Sequence, residues 1–329
     1  MIISRTPMRL PLGGGGTDLP AYYTRYGGFL LSVAINRYVY IAVNKRFEDS
    51  TRVSYSRTEI VDRVDEIQHP IVREAMKLLN LDGGIEIVSI ADAPANTGLG
   101  SSSSFTVGLL CALHAYKREH LDPQALAEEA FHIEVDLLGE PIGKQDQYIA
   151  AFGGVTCLEI DREGRVAASP VRISEHALHE LESNLILFYT GIRRSASSVL
   201  GEQSKSVSAG DGDVTDSMHT IKEIGKEIKV ALEAGDARTF GELMHDHWET
   251  KKRLSPKVSS GDIDRWYAIA RRSGALGGKV MGAGGGGFFV FYCESGREKL
   301  ALREAMAAEG LKETRVGFDF EGSKIVVNI

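Results

Sequence analysis

Glycine clustering limits what this 329-residue chain can fold into more than any other feature of its sequence. The glycines are concentrated at residues 13–16, within the segment 94–110 and at residues 282–287. Glycine has no Cβ atom, so its backbone adopts positive φ angles and approaches a ligand or another segment closely. We therefore expect each cluster to lie where the backbone makes such an approach.

The segment PANTGLGSSSSFTVGLL, residues 94–110, places glycines and serines directly before an apolar run. It is either a flexible joint or the start of a helix whose free N–H groups bind an anion. A linker would continue polar, whereas this segment continues into core-type side chains at Phe105, Val107, Leu109, Leu110 and Leu113. A helix N-terminus carries unpaired N–H groups and about half a positive charge. The segment therefore predicts a polyphosphate site, with serine hydroxyls as further donors and as a Mg²⁺ ligand.

Charge and cysteine usage exclude several classes of protein. The chain has 38 lysines and arginines against 45 aspartates and glutamates, a net charge of −7, so we expect no general affinity for nucleic acid or anionic membranes. Cys111, Cys157 and Cys293 are far apart and lack a metal-binding spacing, which favours reduced thiols in a cytoplasmic protein. The sequence has neither an 18-residue apolar run nor an apolar leader, so neither a membrane-spanning nor a secreted form is expected.

The predicted helices and strands do not alternate regularly, which favours an α+β architecture over a doubly wound sheet. Strands are predicted at residues 2–9, 28–35, 38–45, 51–56, 85–90, 154–160, 185–189, 288–292 and 324–327. Helices are predicted at residues 70–79, 101–116, 123–138, 214–234, 237–254, 262–273 and 296–308. A polar stretch at 161–182 predicts two domains, 1–170 and 171–329, and the Ser/Gly/Asp-rich residues 201–212 predict a mobile loop.

The glycine cluster 282–287 does not fit the common nucleotide-binding loops. Gly282, Gly284 and Gly287 have the spacing of the dinucleotide fingerprint, but that motif needs a following helix, and FFVFY predicts a strand. Gly278 and Lys279 are followed by valine, and the glycine that a Walker A loop has five positions before Gly278 is missing. A plain turn would need fewer glycines. We therefore expect this cluster to pack closely against a ligand or a neighbouring loop.

Two further segments combine charged groups with glycine or proline. RTPMRLPLGGGGTDLPAYY contains Arg9 and Asp18, and EVDLLGEPIGKQDQYIAAFGG contains Glu134 late on a helix and Asp146 after a loop. Taken alone, the first is equally a hairpin with an exposed aspartate. Taken alone, each of the two acids of the second is more often a solvated surface charge than a site residue.

Together these segments resemble the GHMP kinase superfamily (galactokinases, homoserine kinases, mevalonate kinases and phosphomevalonate kinases) along nearly the whole chain. The segment that begins at Pro94 resembles its phosphate-binding loop, and the segment that begins at Lys279 resembles its C-terminal glycine motif. Residues 7–18 resemble its substrate motif, and residues 134–147 fall where galactokinases carry a metal-binding Glu and a catalytic Asp. The four motifs occur in the order that the superfamily has.

The resemblance implies a two-domain fold with the active site in the cleft between a ribosomal protein S5 domain 2-like N-terminal domain and a ferredoxin-like C-terminal domain. It implies an ATP-dependent phosphotransferase with Mg²⁺, in which Asp146 is the catalytic base beside Arg9, and Ser102 and Glu134 are magnesium ligands. The implied nucleotide-binding residues are Pro94, Asn96, Thr97, Gly98, Leu99, Gly100, Ser101, Ser102, Ser103 and Ser104. The implied substrate-binding residues are Arg9, Gly14, Gly15, Gly16, Thr17, Asp18, Lys144, Gln147, Arg193, Arg194, Gly284, Gly285 and Gly286.

One departure from the galactokinase pattern bears on the substrate. Galactokinases carry a Glu-His pair where this chain has Gly15 and Gly16, and the change removes polar contacts to a hexose and opens volume. The stretches GGGGTDLP, GLGSSSSFTVGLL, EPIGKQDQYIAAFGG and TGIRRSASSVL resemble bacterial D-glycero-D-manno-heptose 7-phosphate kinases. Those enzymes act on the anomeric hydroxyl in nucleotide-activated heptose synthesis for cell-surface glycans. A phosphorylated sugar would need cations at its far end, and the candidates are Arg25, Lys144, Arg193 and Arg194.

Two alternatives stay open on the sequence alone. One is a GHMP kinase for another acceptor, such as fucose, galactose or a mevalonate-type alcohol; the other is a non-catalytic sensor of sugar or nucleotide on the same fold. The presence of Asp146, Glu134 and the serine cluster favours an enzyme, because a sensor needs no base. The expected partners are a small sugar phosphate and ATP, with no nucleic acid and no membrane, and a homodimer is compatible with the resemblance.

Overall fold

The structure, a computed structural model, describes residues 1–193 and 196–329. Its strands are β1 (Ile2–Gly13), β2 (Gly28–Lys45), β3 (Thr51–Ser54), β4 (Thr58–Val61), β5 (Ile85–Ala91), β6 (Val155–Ile160), β7 (Val166–Pro170), β8 (Leu185–Tyr189), β9 (Gly277–Val280), β10 (Phe288–Tyr292), β11 (Lys312–Thr314) and β12 (Lys324–Asn328). Its α-helices are α1 (Pro20–Tyr26), α2 (Pro70–Leu78), α3 (Ser101–Tyr116), α4 (Pro123–Phe131), α5 (Gln145–Phe152), α6 (Glu175–Asn184), α7 (Ala196–Ser208), α8 (Gly212–Ala234), α9 (Ala237–Lys251), α10 (Gly261–Arg272) and α11 (Gly296–Ala308). A π-helix, His132–Leu137, continues α4, and 3₁₀ turns lie at Val64–Glu66 and Lys252–Leu254.

The larger sheet is built around β2, which is 18 residues long. Its order is β12-β1-β2-β5-β3-β4, and β6 pairs with the first half of β2 and carries β7. The sequence predicted two strands here, because Asn36 and Arg37 interrupt the apolar pattern. The strand instead continues through both residues, and a register shift between Pro7 and Met8 of β1 accommodates them. The long β1–β2 pair fixes the position of Arg9.

The smaller sheet has the order β11-β8-β10-β9 and is antiparallel throughout. Its central strand β10 reads FFVFY and is buried along its whole length. The rings of Phe289 and Phe291 stack with centroids 4.4 Å apart, and Trp248 of α9 and Tyr267 of α10 pack against them. This aromatic core fixes α9, which contributes basic side chains to the site described below.

Helix α3 lies at the centre of the molecule, packed on β1, β2, α4 and α5. Its buried residues point to almost every side, as expected of a core helix. Gly108 permits the close approach to β1, because a Cβ atom there would lie 2.7 Å from the Oγ1 atom of Thr6. The first turn of α3 is therefore held in a fixed position beside β1.

The two halves of the chain are in direct contact. Strand β12, near the end of the sequence, pairs with β1 at its beginning. Helix α8 packs on β1 and β2, and a Cβ atom at Gly225 would lie 3.0 Å from the amide nitrogen of Gly14. The boundary between domains 1–170 and 171–329 stays a prediction.

The prediction of a mobile loop at residues 201–212 is wrong. Helix α7 extends to Ser208, and α8 begins at Gly212. Val199, Gln203 and Val207 recur every four residues and are buried, so one face of α7 has tertiary contacts that outweigh the low helix propensity of its serines and glycine. The polar stretch 161–182 likewise contains β7 and part of α6.

Cys111, Cys157 and Cys293 are free thiols. Across residues 1–193 and 196–329, every helix falls short of the length or apolar character that crossing a bilayer requires.

Candidate active site

A cavity of about 740 Å³ lies where the end of β1, the start of α3, the segment around the π-helix and the loop between β9 and β10 meet. Helices α7 and α9 supply another wall of it, through residues such as Gln203 and Lys251. A cavity of this size is large enough for a small-molecule ligand.

The loop that leads into helix α3 has positive φ angles, which favour glycine. Gly98 and Gly100 have φ angles of +82° and +77°. Gly100 is the N-cap residue, and among the described residues no side chain caps the helix. The amide of Ser104 donates to the carbonyl oxygen of Gly100 over 2.9 Å, so the N–H groups of residues 101–103 precede the first intrahelical bond. Because those residues line the cavity, the helix start is suited to phosphate oxygens.

The glycine cluster 282–287 packs against Thr97 and Gly98, in the loop that precedes α3. A Cβ atom on Gly98 would lie 2.7 Å from the carbonyl oxygen of Met281, and one on Gly287 would lie 2.2 Å from that of Thr97. The amide of Phe288 donates to the same oxygen of Thr97 over 3.1 Å. The prediction that this cluster packs against a neighbouring loop is confirmed.

Arg9 and Asp146 form a two-pronged ion pair in the cavity. Nε of Arg9 donates to Oδ1 of Asp146 over 2.7 Å, and Nη2 donates to Oδ2 over 2.6 Å. Nη1 of Arg9 also donates to the carbonyl oxygen of Gly98 over 2.5 Å, which links the pair to the helix start. The carboxylate lies 3.1 Å from the position that a Cβ atom on Gly100 would occupy. Each carboxylate oxygen keeps a lone pair for one further bond.

A π-helical turn brings Glu134 to the start of α3. Glu134 is buried, and its Oε1 accepts hydrogen bonds from Ser102 over 3.4 Å and from Thr106 over 3.1 Å. Its Oε2 accepts from Nε2 of Gln147 over 2.6 Å. Burial raises the pKa of Glu134 to about 7, and the charge of Asp146 acts in the same direction. π-turns often mark functional positions, and this one places a carboxylate beside a serine hydroxyl in the cavity.

Asp18 occupies a buried position on the cavity wall. Its Oδ1 accepts from the amide of Gly16 and its Oδ2 from the amide of Gln145, each over 3.0 Å. Burial raises the pKa of this carboxyl group, and Asp146 adds to the shift. Gly143 is required for this packing, since a Cβ atom there would lie 2.0 Å from Oδ2 of Asp18.

The cavity brings together a large part of the residue set predicted from sequence. The predicted residues that line it are Arg9, Gly15, Gly16, Asp18, Asn96, Gly98, Gly100, Ser101, Ser102, Ser103, Glu134 and Asp146. They come from three separate segments of the chain, and the fold assembles them in one place.

Other predicted residues lie behind this lining and support it. They are Gly14, Thr17, Pro94, Thr97, Leu99, Ser104 and Gln147. Gly284, Gly285 and Gly286 also lie outside the lining. Gly284 and Gly285 pack on Val258, and Gly286 packs on Ile192.

Three of the four cations predicted for a substrate phosphate lie outside the cavity lining. Lys144 is paired with Glu128, with its Nζ 2.8 Å from each carboxylate oxygen. Arg25 donates to two carbonyl oxygens at the end of α7. Arg193 is exposed outside the cavity lining, and Arg194 lies outside the described residues.

Sequence reasoning missed the basic side chains that the C-terminal half contributes. His247, Lys251 and Lys279 are buried and line the cavity. The sequence pattern that could have identified two of them is on α9. There His247 and Lys251 are one turn apart, on the face that also buries Met244 and Trp248. Basic residues on a helix usually face solvent, so the sequence alone does not separate this pair from surface charges.

Comparison with known proteins identifies the family. Residues 69–154 match the GHMP kinases N terminal domain, and residues 228–312 match the GHMP kinases C terminal domain. A D-glycero-alpha-D-manno-heptose 7-phosphate kinase of Campylobacter jejuni is 32% identical over 98% of this chain and 98% of its own length. A galactokinase of Pyrococcus furiosus is 26% identical over 93% of this chain and 94% of its own. The chain belongs to the GHMP kinases.

The solved structures agree with this assignment. A D-glycero-D-manno-heptose 1-phosphate kinase from Bacteroides thetaiotaomicron covers the whole of both chains with a TM-score of 0.82 at 26% identity. The two-domain GHMP kinase fold expected from the sequence is confirmed. The expectation of an ATP-dependent phosphotransferase is confirmed as well.

Proposed function

We propose that this protein phosphorylates the anomeric hydroxyl of D-glycero-D-manno-heptose 7-phosphate with ATP, giving the 1,7-bisphosphate. The observation that carries the proposal is the Asp146 carboxylate, which Arg9 holds beside the uncapped start of α3 in one cavity. The choice of sugar rests on the similarity to the heptose 7-phosphate kinase of Campylobacter jejuni over 98% of the chain. The reaction would take place in the cytoplasm and serve nucleotide-activated heptose synthesis for cell-surface glycans. A homodimer stays a prediction.

The phosphates of ATP would bind at the start of α3. The amides of residues 101–103 and the positive end of the helix dipole favour a polyanion there. Gly98 and Gly100 keep the approach free of side chains. Serine hydroxyls on the cavity wall add further hydrogen-bond donors.

The residues at the helix start fit a magnesium ion that is held jointly with the nucleotide. The Ser102 hydroxyl and the Glu134 carboxylate lie 3.4 Å apart on the cavity wall, and Mg²⁺ prefers oxygen ligands supplemented by water and phosphate. A cation would also offset the burial that raises the pKa of Glu134. Within the described residues no cluster of three His, Cys, Asp or Glu forms a cage for a metal, so phosphate oxygens would have to complete the set. When bound, the ion supplies charge neutralisation to the transferred phosphoryl group.

Asp146 would accept the proton of the anomeric hydroxyl as that oxygen attacks the γ-phosphorus. The bond between the γ-phosphorus and the bridging oxygen would break, and ADP would leave with that oxygen. Arg9 fixes the carboxylate in place through both of its oxygens and brings positive charge to the reacting atoms. Phosphoryl transfer has a loose transition state, so positioning and charge neutralisation carry much of the catalysis. The base contributes a further factor on the order of 10²–10⁴.

The sugar would bind against Asp18, Gly15 and Gly16. The two oxygens of Asp18 are fixed by backbone amides and can still accept bonds from sugar hydroxyls. Among described residues within 4 Å, a Cβ atom on Gly15 would meet only Gln145, at 3.7 Å, and one on Gly16 only Met218, at 3.9 Å. This glycine wall leaves room for a sugar larger than a hexose.

A panel of acceptors with coupled detection of ADP tests the proposal. It contains heptose 7-phosphate, the unphosphorylated heptose, galactose, fucose and mevalonate, and NMR locates the phosphate in the product. We expect the highest kcat/KM with heptose 7-phosphate and a new phosphate on the anomeric oxygen. A higher kcat/KM with another acceptor would show that heptose 7-phosphate is not the preferred substrate, and the absence of sugar-stimulated ADP release with every acceptor would contradict the proposal.

A further inference from the structure

Three basic side chains of the C-terminal half line the cavity and have no acidic partner among residues 1–193 and 196–329. Lys279 and His247 are each 1% exposed and Lys251 is 7% exposed. Burial and neighbouring positive charge, including that of Arg9, lower the pKa of Lys251 to about 7 and the pKa of Lys279 well below its ordinary value. No carboxylate in the described part of the chain offsets either ammonium group. Buried cations without a counter-charge are costly, so their presence on a cavity wall points to an anionic ligand.

The hydrogen-bonding groups of this cluster are only partly used. Nζ of Lys251 donates to the carbonyl oxygens of Gly282, over 2.5 Å, and of Val280, over 3.3 Å. Nζ of Lys279 donates to the carbonyl oxygen of Leu12 over 2.9 Å. An ammonium group has three donors, so each lysine has capacity left. Both ring nitrogens of His247 are buried and lack a partner among the described residues.

Gln203 adds a further unused donor to the same cavity. Its side chain is 2% exposed, and its Nε2 atom is buried with no hydrogen-bond partner in the described chain. Gln203 lies on α7, which packs against α1, the helix that follows Asp18. An unpaired buried donor costs free energy unless a ligand satisfies it.

The cluster lies between the wall that we assign to the sugar and the loop that packs on the helix start. Leu254, one turn beyond Lys251, packs with Leu19, the residue after Asp18, and both leucines line the cavity. On the second side, Lys251 donates to Gly282, where a Cβ atom would lie 2.9 Å from the Cα atom of Gly98. The helix start at residues 101–103, with Ser102 and Glu134, is a separate group of anion and metal ligands on α3 and the π-helix. The basic cluster is therefore available to a second anion beside the nucleotide.

We propose that His247, Lys251, Lys279 and Gln203 bind the phosphate monoester of the sugar substrate. The inference rests on the proposed function for the identity of that sugar. A phosphate dianion would supply the counter-charge that the lysines lack, and its oxygens would accept bonds from the unused donors. This pocket takes the role that the sequence suggested for Arg25, Lys144 and Arg193, which lie outside the cavity.

A titration of inorganic phosphate into protein loaded with Mg²⁺ and a non-hydrolysable ATP analogue tests the pocket by itself. The nucleotide occupies the start of α3, so any phosphate that still binds must do so elsewhere. We expect Lys251→Met and His247→Leu to weaken phosphate binding about tenfold or more, because each removes donors to a charged ligand. His247→Leu nearly conserves volume and deletes two unpartnered nitrogens, so it should also keep the melting temperature. Lys252→Met is the matched control, since Lys252 pairs with Glu249 outside the cavity.

Three outcomes of this titration would overturn the proposal. One is a nucleotide-loaded protein that binds no phosphate. Another is variants that bind phosphate as the wild type does. The third is variants that lose affinity for the nucleotide in place of phosphate, which would assign the cluster to ATP.

Steady-state kinetics with two sugars then tests the link to the substrate. With heptose 7-phosphate, the variants should raise KM about tenfold or more and leave the KM for ATP within about twofold. With the unphosphorylated heptose, wild type and variants should be alike, and equal losses on both sugars would contradict the assignment. If the wild type fails to turn over heptose 7-phosphate, the proposed function is wrong, while the phosphate titration still decides whether the pocket exists.

Discussion

The guanidinium group of Arg9 holds both carboxylate oxygens of Asp146, over 2.7 Å and 2.6 Å, although 137 residues separate the two in the sequence. The third nitrogen of the same group donates to the carbonyl oxygen of Gly98. One side chain therefore connects the proposed base to the loop that begins α3. The position of Asp146 relative to the nucleotide depends on this connection.

Replacement of Arg9 tests the connection. Arg9→Lys keeps the charge but cannot form the two-pronged pair, so we expect kcat to fall by roughly 10²-fold with a much smaller change in the KM for ATP. Arg5→Lys is the matched control, because Arg5 lies on the same strand and pairs with Glu321 away from the cavity. Equal activity of the two variants would remove Arg9 from the reaction centre.

Removal of the proposed metal ligands tests the magnesium site. Glu134→Gln replaces the carboxylate with a neutral amide of the same shape and should raise the Mg²⁺ concentration for half-maximal rate by about tenfold. Ser102→Ala should shift the same titration to a smaller extent. Glu129→Gln, on α4 but outside the cavity, should leave it unchanged. A titration that is identical in all three variants would show that Ser102 and Glu134 do not hold the ion.

Replacement of Gly287 tests the contact between the glycine cluster 282–287 and the loop that precedes α3. Gly287→Ala combines a φ angle of +87° with a Cβ atom 2.2 Å from the carbonyl oxygen of Thr97. Gly310→Ala has a similar φ of +82°, but no atom of the described chain lies within 4 Å of its Cβ position, so it isolates the backbone strain of about 1 kcal/mol. We expect Gly287→Ala to lower the free energy of unfolding by at least about 2 kcal/mol more than Gly310→Ala does, and to weaken ATP binding. Equal melting temperatures for the two variants would show that the close contact between Gly287 and Thr97 does not affect stability.

His114 gives the protein a pH-dependent contribution to stability at the far end of α3. The hydrogen bonds that protonated His114 donates to the carboxylates of Glu129 and Glu119 raise the pKa of His114 above its ordinary value. A raised folded-state pKa stabilises the protein fully below the unfolded value of about 6.5, and this stabilisation is lost as pH rises through the folded value. His114→Gln should therefore lower the free energy of unfolding by about 1–2 kcal/mol at pH 5.5, and by progressively less at higher pH.

Melting curves of wild type and His114→Gln from pH 5.5 to pH 9 measure this contribution. His176→Gln, which changes an exposed histidine, is the control and should show little difference from wild type at any pH. A difference between wild type and His114→Gln that stays constant with pH would contradict the assigned charge on His114.

Much of the fold and the site could be predicted from local sequence patterns. The start of α3, the strand β10 and the helix cap at Asp122 follow from glycine, apolar runs and a capping residue, which act within a few positions. The set of site residues was reached through resemblance to a family, because spacing alone does not bring Arg9 to Asp146. Those two meet only when β1 and α5 pack on α3.

The parts that sequence reasoning missed depend on tertiary contacts. Helix α7 has serines and glycine that favour a loop, and its burial against α1 and α8 decides its structure. The strand β2 continues through Asn36 and Arg37 because its partner β1 adjusts register there. Lys251 and Lys279 are charged residues that the packing of the smaller sheet buries, and composition cannot distinguish them from surface lysines.

The turnover of Asp146→Asn with heptose 7-phosphate, measured beside its affinity for ATP, tests the central claim most directly. The account predicts that kcat falls by about 10²–10⁴-fold while the dissociation constant for ATP stays within a few-fold of wild type. Near-normal turnover would contradict the claim that this carboxylate accepts the proton of the sugar hydroxyl.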